Sequence, residues 1–266
     1  MLSQIQIWVL ITALSILLIP RSIYAVNQAG LASNTSSALF AGAPVAPKEH
    51  TNNLIVLTNK GFIVGYNENR KAPAWVAYRL FNVKPNPAIK RRTRFNTDLR
   101  TRARVAESEY RGSDFARGHM APAYAITVCY GNDGQKDTFL MSNIVPQDDR
   151  LNSGPWRTLE MKVIQEYVPT CKDIWIITGP VFDKKVERLK TGPEIPDAFY
   201  KILIDNQNGT VRVLAFLMPQ TARSSDLSQY LTSIDKIEQL TGLDFLSKLP
   251  DKQENQLEAT VPGTLW

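Results

Sequence analysis

The sequence predicts an α+β domain built on a mainly antiparallel sheet with flanking helices. Short apolar or aromatic runs recur along the chain. Two neighbouring pairs of them are joined by turn signals, Asn59-Lys60-Gly61 and Asn206-Gln207-Asn208-Gly209. Two longer segments instead carry apolar residues at helical spacing. Of the 266 residues, 44% are apolar and 21% charged, enough for a sizeable core and against wholesale disorder.

Residues 7–20 form an uncharged apolar run, the length of a signal-peptide core and short for a spanning helix of about 20 residues. No Lys or Arg precedes the run, and Ala25 offers a cleavage point with bulky Ile23 close before it. Residues 1–25 therefore read as an export signal or an N-terminal membrane anchor. Either reading puts the remainder outside the cytosol, periplasmic or secreted. Residues 26–51, rich in Ala, Ser, Asn and Pro without periodicity, read as a flexible spacer, and folding is expected from about residue 52 to 266.

Strands are expected at 54–57, 61–66 and 74–80. A basic, proline-containing surface loop follows over 84–104. Further strands are expected at 138–145, ending at Pro146; at 173–178, closed by Gly179-Pro180; and at 199–204 and 211–218. Trp156, Leu159, Val163, Ile164 and Tyr167 make one apolar stripe, and Pro155 stands early in that helix, where its missing N–H does no harm. Leu227, Leu231, Ile234, Ile237 and Leu240 make a second stripe, predicting a helix over about 226–240 that ends at Gly242.

The 31 basic and 25 acidic residues give a formal charge of +6, which attracts polyanions such as nucleic acid or anionic lipid without selecting among them. Cys129 and Cys171 allow at most one disulfide, and the absence of a CxxC pair excludes a zinc site of that type. Ser142 and Ser153 have no evident base partner, so no nucleophilic serine is assigned.

The scarcity of histidine narrows the search for chemistry. His50 falls in the spacer, beside Lys48 and Glu49, and reads as a solvated linker residue. His119 stands in Asp114-Phe115-Ala116-Arg117-Gly118-His119-Met120 and titrates near neutrality, as a general base must. Asn152 lies just before the first predicted helix and Glu160 eight residues on, a little over two helical turns, so both side chains can face one neighbourhood. Read blandly, Asn152 caps the helix and Glu160 is solvated.

Arg117-Gly118-His119, then Asn143-Ile144-Val145-Pro146-Gln147, then Leu151-Asn152 with Trp156 and Leu159-Glu160, resemble the DNA/RNA non-specific endonuclease family, the ββα-metal or His-Me finger nucleases. The likeness takes in Pro73-Ala74-Trp75-Val76-Ala77-Tyr78, Phe95-Asn96-Thr97-Asp98, Thr178-Gly179-Pro180-Val181-Phe182 and Ile195 to Lys201, and so spans about 57–249.

The resemblance implies a ββα-metal motif in an endonuclease domain over 52–266 that acts on DNA and RNA. It implies His119 as general base, Asn152 as the side chain holding Mg2+ (or Mn2+), and Glu160 as support for the metal's water shell. It also implies Arg117 beside the phosphate and a second phosphate arginine at Arg91, with Arg92 as its alternative. Phosphodiester cleavage needs an activated water, charge neutralisation at phosphate and help for the leaving oxygen. One neutral Asn ligand would leave the charge of magnesium free to act on phosphate. Attack by a water that His119 deprotonates would leave 5′ phosphates, and backbone contacts would give little sequence preference.

Two positions depart from the family pattern. Ala116 stands where Asp usually precedes Arg-Gly-His, and Ile164 stands where relatives often carry Arg. These departures, with the basic loop, are the features behind the rival reading, a catalytically weak nucleic-acid-binding protein of the cell envelope; neither touches the base or the direct ligand, so activity is expected to survive.

Overall fold

The structure, a computed structural model, describes residues 38–47, 53–183 and 185–266. The apolar run at 7–20 and His50 lie outside the described residues. Among the described residues no helix is long and apolar enough to cross a membrane.

Seven strands form one antiparallel sheet in the order β1-β2-β3-β6-β7-β8-β9. They are β1 (Leu54–Asn59), β2 (Phe62–Asn67), β3 (Ala72–Phe81), β6 (Asp173–Val181), β7 (Ala198–Gln207), β8 (Thr210–Pro219) and the short β9 (Leu231–Thr232). Both predicted hairpins are present. Alternation along each strand sends side chains to two faces. Tyr78, Ile176, Phe199, Leu203 and Phe216 enter one core layer. Trp75, Ile177, Tyr200, Ile202 and Ala215 enter the other.

The first layer carries the α+β elaboration. Helix α1 (Ala123–Thr138) and a two-stranded antiparallel ribbon, β4 (Phe115–His119) with β5 (Ile144–Asp148), are followed by helices α2 (Asp149–Ser153) and α3 (Pro155–Lys162). The helical path runs on through a wider π-type turn at Val163–Tyr167 into α4 (Val168–Cys171). Trp156, Leu159, Val163, Ile164 and Tyr167 are all buried, as their stripe predicts. The second layer is covered by α5 (Ile234–Thr241), with α6 (Asp251–Ala259) beside it.

Four expectations change. The strand expected at 138–145 is the end of α1, a tight turn at Met141–Asn143, and only then β5, which runs through Pro146. Pro146 is tolerated because the ribbon has just two strands, each of them an edge. The helix expected over 226–240 is divided into a single turn at Leu227–Tyr230, β9, and α5, which starts where Ser233 accepts a hydrogen bond from the Lys236 amide. Asn152 lies inside α2, whose cap is Asp148, so it does not cap α3. Within the expected spacer, residues 38–47 are docked: the Phe40 ring lies 5.4 Å from Trp175, and Val45 exchanges backbone hydrogen bonds of 2.8 and 2.9 Å with Asp244. Apolar side chains at Ala38, Leu39 and Phe40 supply the area that holds this segment down.

Cys129 and Cys171 are both free thiols.

Candidate active site

β4 and β5 pair antiparallel, with the Gln147 side chain packed over Gly118. A Cβ on Gly118 would lie 2.7 Å from Cβ of Gln147, so only glycine fits between Arg117 and His119. The pairing puts Arg117 opposite Pro146 and His119 opposite Ile144. The turn after His119 is held by Asn143, which is 0% exposed. Its Nδ2 donates to the carbonyls of Ala121 and Thr138, both at 3.0 Å, and its Oδ1 accepts from the Ala121 amide at 2.9 Å. One side chain thereby ties β4, the end of α1 and β5 together. Ser142 Oγ donates to Asp98 at 2.6 Å, anchoring the basic loop to the same turn.

His119, Asn152, Glu160, Arg91 and Arg117 line a single cleft of about 440 Å³ on the face of the ribbon. The structure thus brings together all five residues singled out in the sequence. It also separates the two arginines left open there. Arg91 lines the cleft, whereas Arg92 does not and binds Gln135 through its backbone amide. Ala116 and Ile164 line the cleft as well, so both departures face the site.

The imidazole of His119 packs on aromatic rings, with centroids 5.4 Å from Phe95 and 5.0 Å from Phe139. The same two rings carry the arginines, the Arg117 guanidinium 5.0 Å over Phe95 and that of Arg91 5.6 Å over Phe139. Burial, and then the positive charge of Arg91, hold His119 down at about 3. The ring is therefore neutral at ordinary pH, and a weaker base than the near-neutral imidazole expected from the sequence. Arg117 also donates to Glu107 at 2.8 Å, a half-exposed pair that fixes its direction more than it stabilises the fold.

Glu160 differs from a solvated helix residue. Its side chain is 18% exposed, and its Oε1 lies 3.8 Å from Nζ of Lys201, itself 1% exposed. Burial pushes the Glu160 carboxyl up to about 7, and the Lys201 ammonium opposes that rise. Lys201 was not singled out in the sequence. Its signal is a charge on β7 between Phe199 and Leu203, on the inward side of the sheet. Arg157 was also missed; it is exposed, lines the cleft and acts on the Glu160 charge.

The donor set suits a hard divalent cation. The Asn152 amide faces the cleft and has no hydrogen bond to a described residue, and Oε1 of Glu160 is buried without one. Magnesium and manganese take oxygen donors of this type and keep several of their waters.

Comparison with known proteins gives the family. The protein named Nuclease from Serratia marcescens is 29% identical over 225 residues, covering 79% of this chain and 82% of that one. The protein named Nuclease from a Nostoc species is 28% identical, covering 87% and 88%. A chain from the crystal structure of the EndoG/EndoGI complex superposes with a TM-score of 0.72 at 23% identity, over 83% of this chain and 94% of that one, and so shares the fold. The family model described as DNA/RNA non-specific endonuclease matches residues 44–252, across the ribbon, both helices of the cleft and nearly all of the sheet, and this chain belongs to that family of nucleic-acid-hydrolysing enzymes.

Proposed function

We propose that the chain is an exported endonuclease that hydrolyses DNA and RNA with little sequence preference in the presence of a divalent cation, Mg2+ or Mn2+. The observation that carries this reading is the convergence of His119, Asn152, Glu160, Arg91 and Arg117 on one cleft. Export is supported by the apolar run at residues 7–20.

Arg91 and Arg117 bind the phosphate and orient it; their seats on Phe139 and Phe95 aim two cations past the His119 ring. His119, neutral before reaction, takes a proton from the attacking water. Asn152 would hold the cation and Glu160 would orient its water shell; when bound, the cation would supply charge neutralisation at phosphate. The water oxygen bonds to phosphorus as the P–O3′ bond breaks, the 3′ oxygen takes up a proton from solvent, and the products are a 5′ phosphate and a 3′ hydroxyl. Weak sequence preference follows from a cleft lined by arginines that meet phosphate rather than base edges.

The test is incubation of the protein with plasmid DNA and with RNA, with Mg2+ and with chelator, alongside His119→Ala. Metal-dependent degradation of both polymers, lost in the variant, is the expected result. Binding that persists in chelator, with no cleavage under any divalent metal, would replace this reading by the envelope binding protein, with Ala116 marking a disabled cleft.

A further inference from the structure

On the side of the sheet away from the cleft, five carboxylates converge where α5 meets α6. Asp235 and Glu238 come from α5, Asp244 from the turn after it, and Glu254 and Glu258 from α6. Ligand oxygens of Asp235, Glu238 and Glu258 all lie within 4.8 Å of one another, and so do those of Asp244, Glu254 and Glu258. Glu258 belongs to both groups. It is 5% exposed, and its Oε1 is buried with no hydrogen-bond partner.

An ionised carboxylate buried without a partner is costly, and here its neighbours add to the cost. The charges acting on Glu258 are those of Glu238, Glu254, Asp235 and Asp244; no Lys or Arg is among them. Burial and these carboxylates push the Glu258 carboxyl up to about 8, and burial raises Glu238 and Glu254 in turn. Yet the fold holds the five together firmly. Oε1 of Glu238 accepts the Phe245 amide at 2.8 Å, and Asp244 is clamped to Val45 by two backbone hydrogen bonds. Asp235 and Asp244 are exposed at the rim while Glu258 closes the base, so the cluster is open to an ion from solvent.

The geometry points to a divalent-cation site, suited to Ca2+, centred on Glu258 and built from the two carboxylate groups that share it, Asp235 with Glu238 and Asp244 with Glu254, separate from the catalytic cleft. All its donors are carboxylate oxygens, and they come from three segments. Calcium takes six to eight such ligands in flexible geometry, whereas magnesium demands a near-ideal octahedron. A bound ion would neutralise the mutual repulsion and staple α6 and the Asp244 turn to α5, and through Val45 the docked N-terminal segment. The inference does not depend on the reading of the catalytic cleft.

The test is a thermal melt of the full chain, freed of metal by chelation and then titrated with Ca2+ alone. The wild type, Asn152→Ala and Glu258→Gln are compared. At a hundredfold excess over the dissociation constant, the wild type and Asn152→Ala should each melt roughly 5 °C higher. Glu258→Gln, which keeps the shape of the protonated acid but offers no carboxylate ligand, should melt near the wild type in chelator and gain nothing from Ca2+. Glu254→Gln provides the same comparison from the rim should Glu258→Gln not fold. An equal gain in Glu258→Gln and wild type, or no gain in wild type at about 10 mM Ca2+, where extracellular-type sites are saturated, would overturn the site and leave protons alone to discharge the cluster.

Discussion

Nζ of Lys201 lies 3.8 Å from Oε1 of Glu160 and 4.3 Å over the Trp156 ring, an ion pair closed off between β7 and the helix that bears the glutamate. Lys201 cannot reach the cleft surface itself, being 1% exposed, so it acts by keeping Glu160 ionised and in place. Lys201→Met fills the same space without the charge. It should cost about 3–5 kcal/mol of stability by leaving a buried carboxylate unpaired. The carboxyl of Glu160 should then rise further, moving the acid limb of kcat toward higher pH. Denaturant unfolding and a pH–rate profile check the two effects. Adding Glu160→Gln should recover much of the lost stability but none of the activity. If the single variant leaves both the profile and the stability unchanged, Lys201 is no positioning residue.

His119 should show its environment directly. Its folded-state value, about 3, lies below that of a free imidazole, so between about 3 and 6.5 the folded protein binds fewer protons than the unfolded chain. The stability contributed by the neutral ring is fully present above about 6.5 and is lost as pH falls through that window. With only His50 and His119 in the chain, both imidazoles can be followed by proton NMR. His119 should titrate well below a free imidazole, and Arg91→Ala, which removes the second cause of the depression, should move it upward. Titration of His119 at the free-imidazole value would contradict the burial that the ring contacts describe.

Much of this site was legible because its chemistry is rare in the sequence. Two histidines leave few choices for a base, and Gly118 between Arg117 and His119 marks a close approach, here by the Gln147 side chain. The sheet was legible because its strands alternate between two buried layers. Helix α1 was not, because Gly131, Asn132 and Gly134 fall inside it and its apolar residues form no clean stripe; the helix is kinked where Gly131 takes a φ of 73°. Lys201 was hidden for a different reason. A lysine in a strand reads as solvent-facing until the strand's parity and its carboxylate partner are both known.

Asn143 is the positioning residue that the local sequence hides best, a lone amide in the run Met141-Ser142-Asn143-Ile144. Asn143→Ala breaks three hydrogen bonds made by a fully buried side chain, and at about 1 kcal/mol each it should cost about 3 kcal/mol, more if the freed carbonyls find no water. Because the turn it holds follows directly on His119, kcat should fall more than KM rises. Unfolding curves and steady-state kinetics on the same preparation separate the two effects. A variant of normal stability and normal kcat would show that β4 and β5 hold His119 without it.

Ala116 sits on β4 opposite Gln147 and lines the cleft beside Arg117, at the position where the resemblance read from the sequence leads one to expect Asp. Ala116→Asp would add a carboxylate to a cleft whose ionised groups are mostly arginines, favouring cation binding and its water shell. The expected outcome is a lower Mg2+ concentration for half-maximal activity and a rise in kcat of up to about tenfold, little more than 1 kcal/mol. A fall in activity would mean that the new charge pairs with Arg117 and draws it off the phosphate.

Arg157 completes the cationic rim that the sequence reading left one residue short at Ile164. It projects from α3 into the cleft, is exposed, and its charge reaches Glu160. An exposed arginine without a salt bridge is free to meet a substrate phosphate, and a phosphate contact has a signature that a structural role lacks. Removing it should weaken binding to DNA and RNA alike and reduce the slope of log affinity against log salt by about one. Arg157→Ala should therefore raise KM several-fold for both polymers, with kcat and unfolding midpoint little changed. Filter binding of a cleavage-resistant oligonucleotide across a salt series decides it. An unchanged slope together with an unchanged KM would place Arg157 outside the substrate path and leave Arg91 and Arg117 as the cleft's phosphate-binding pair.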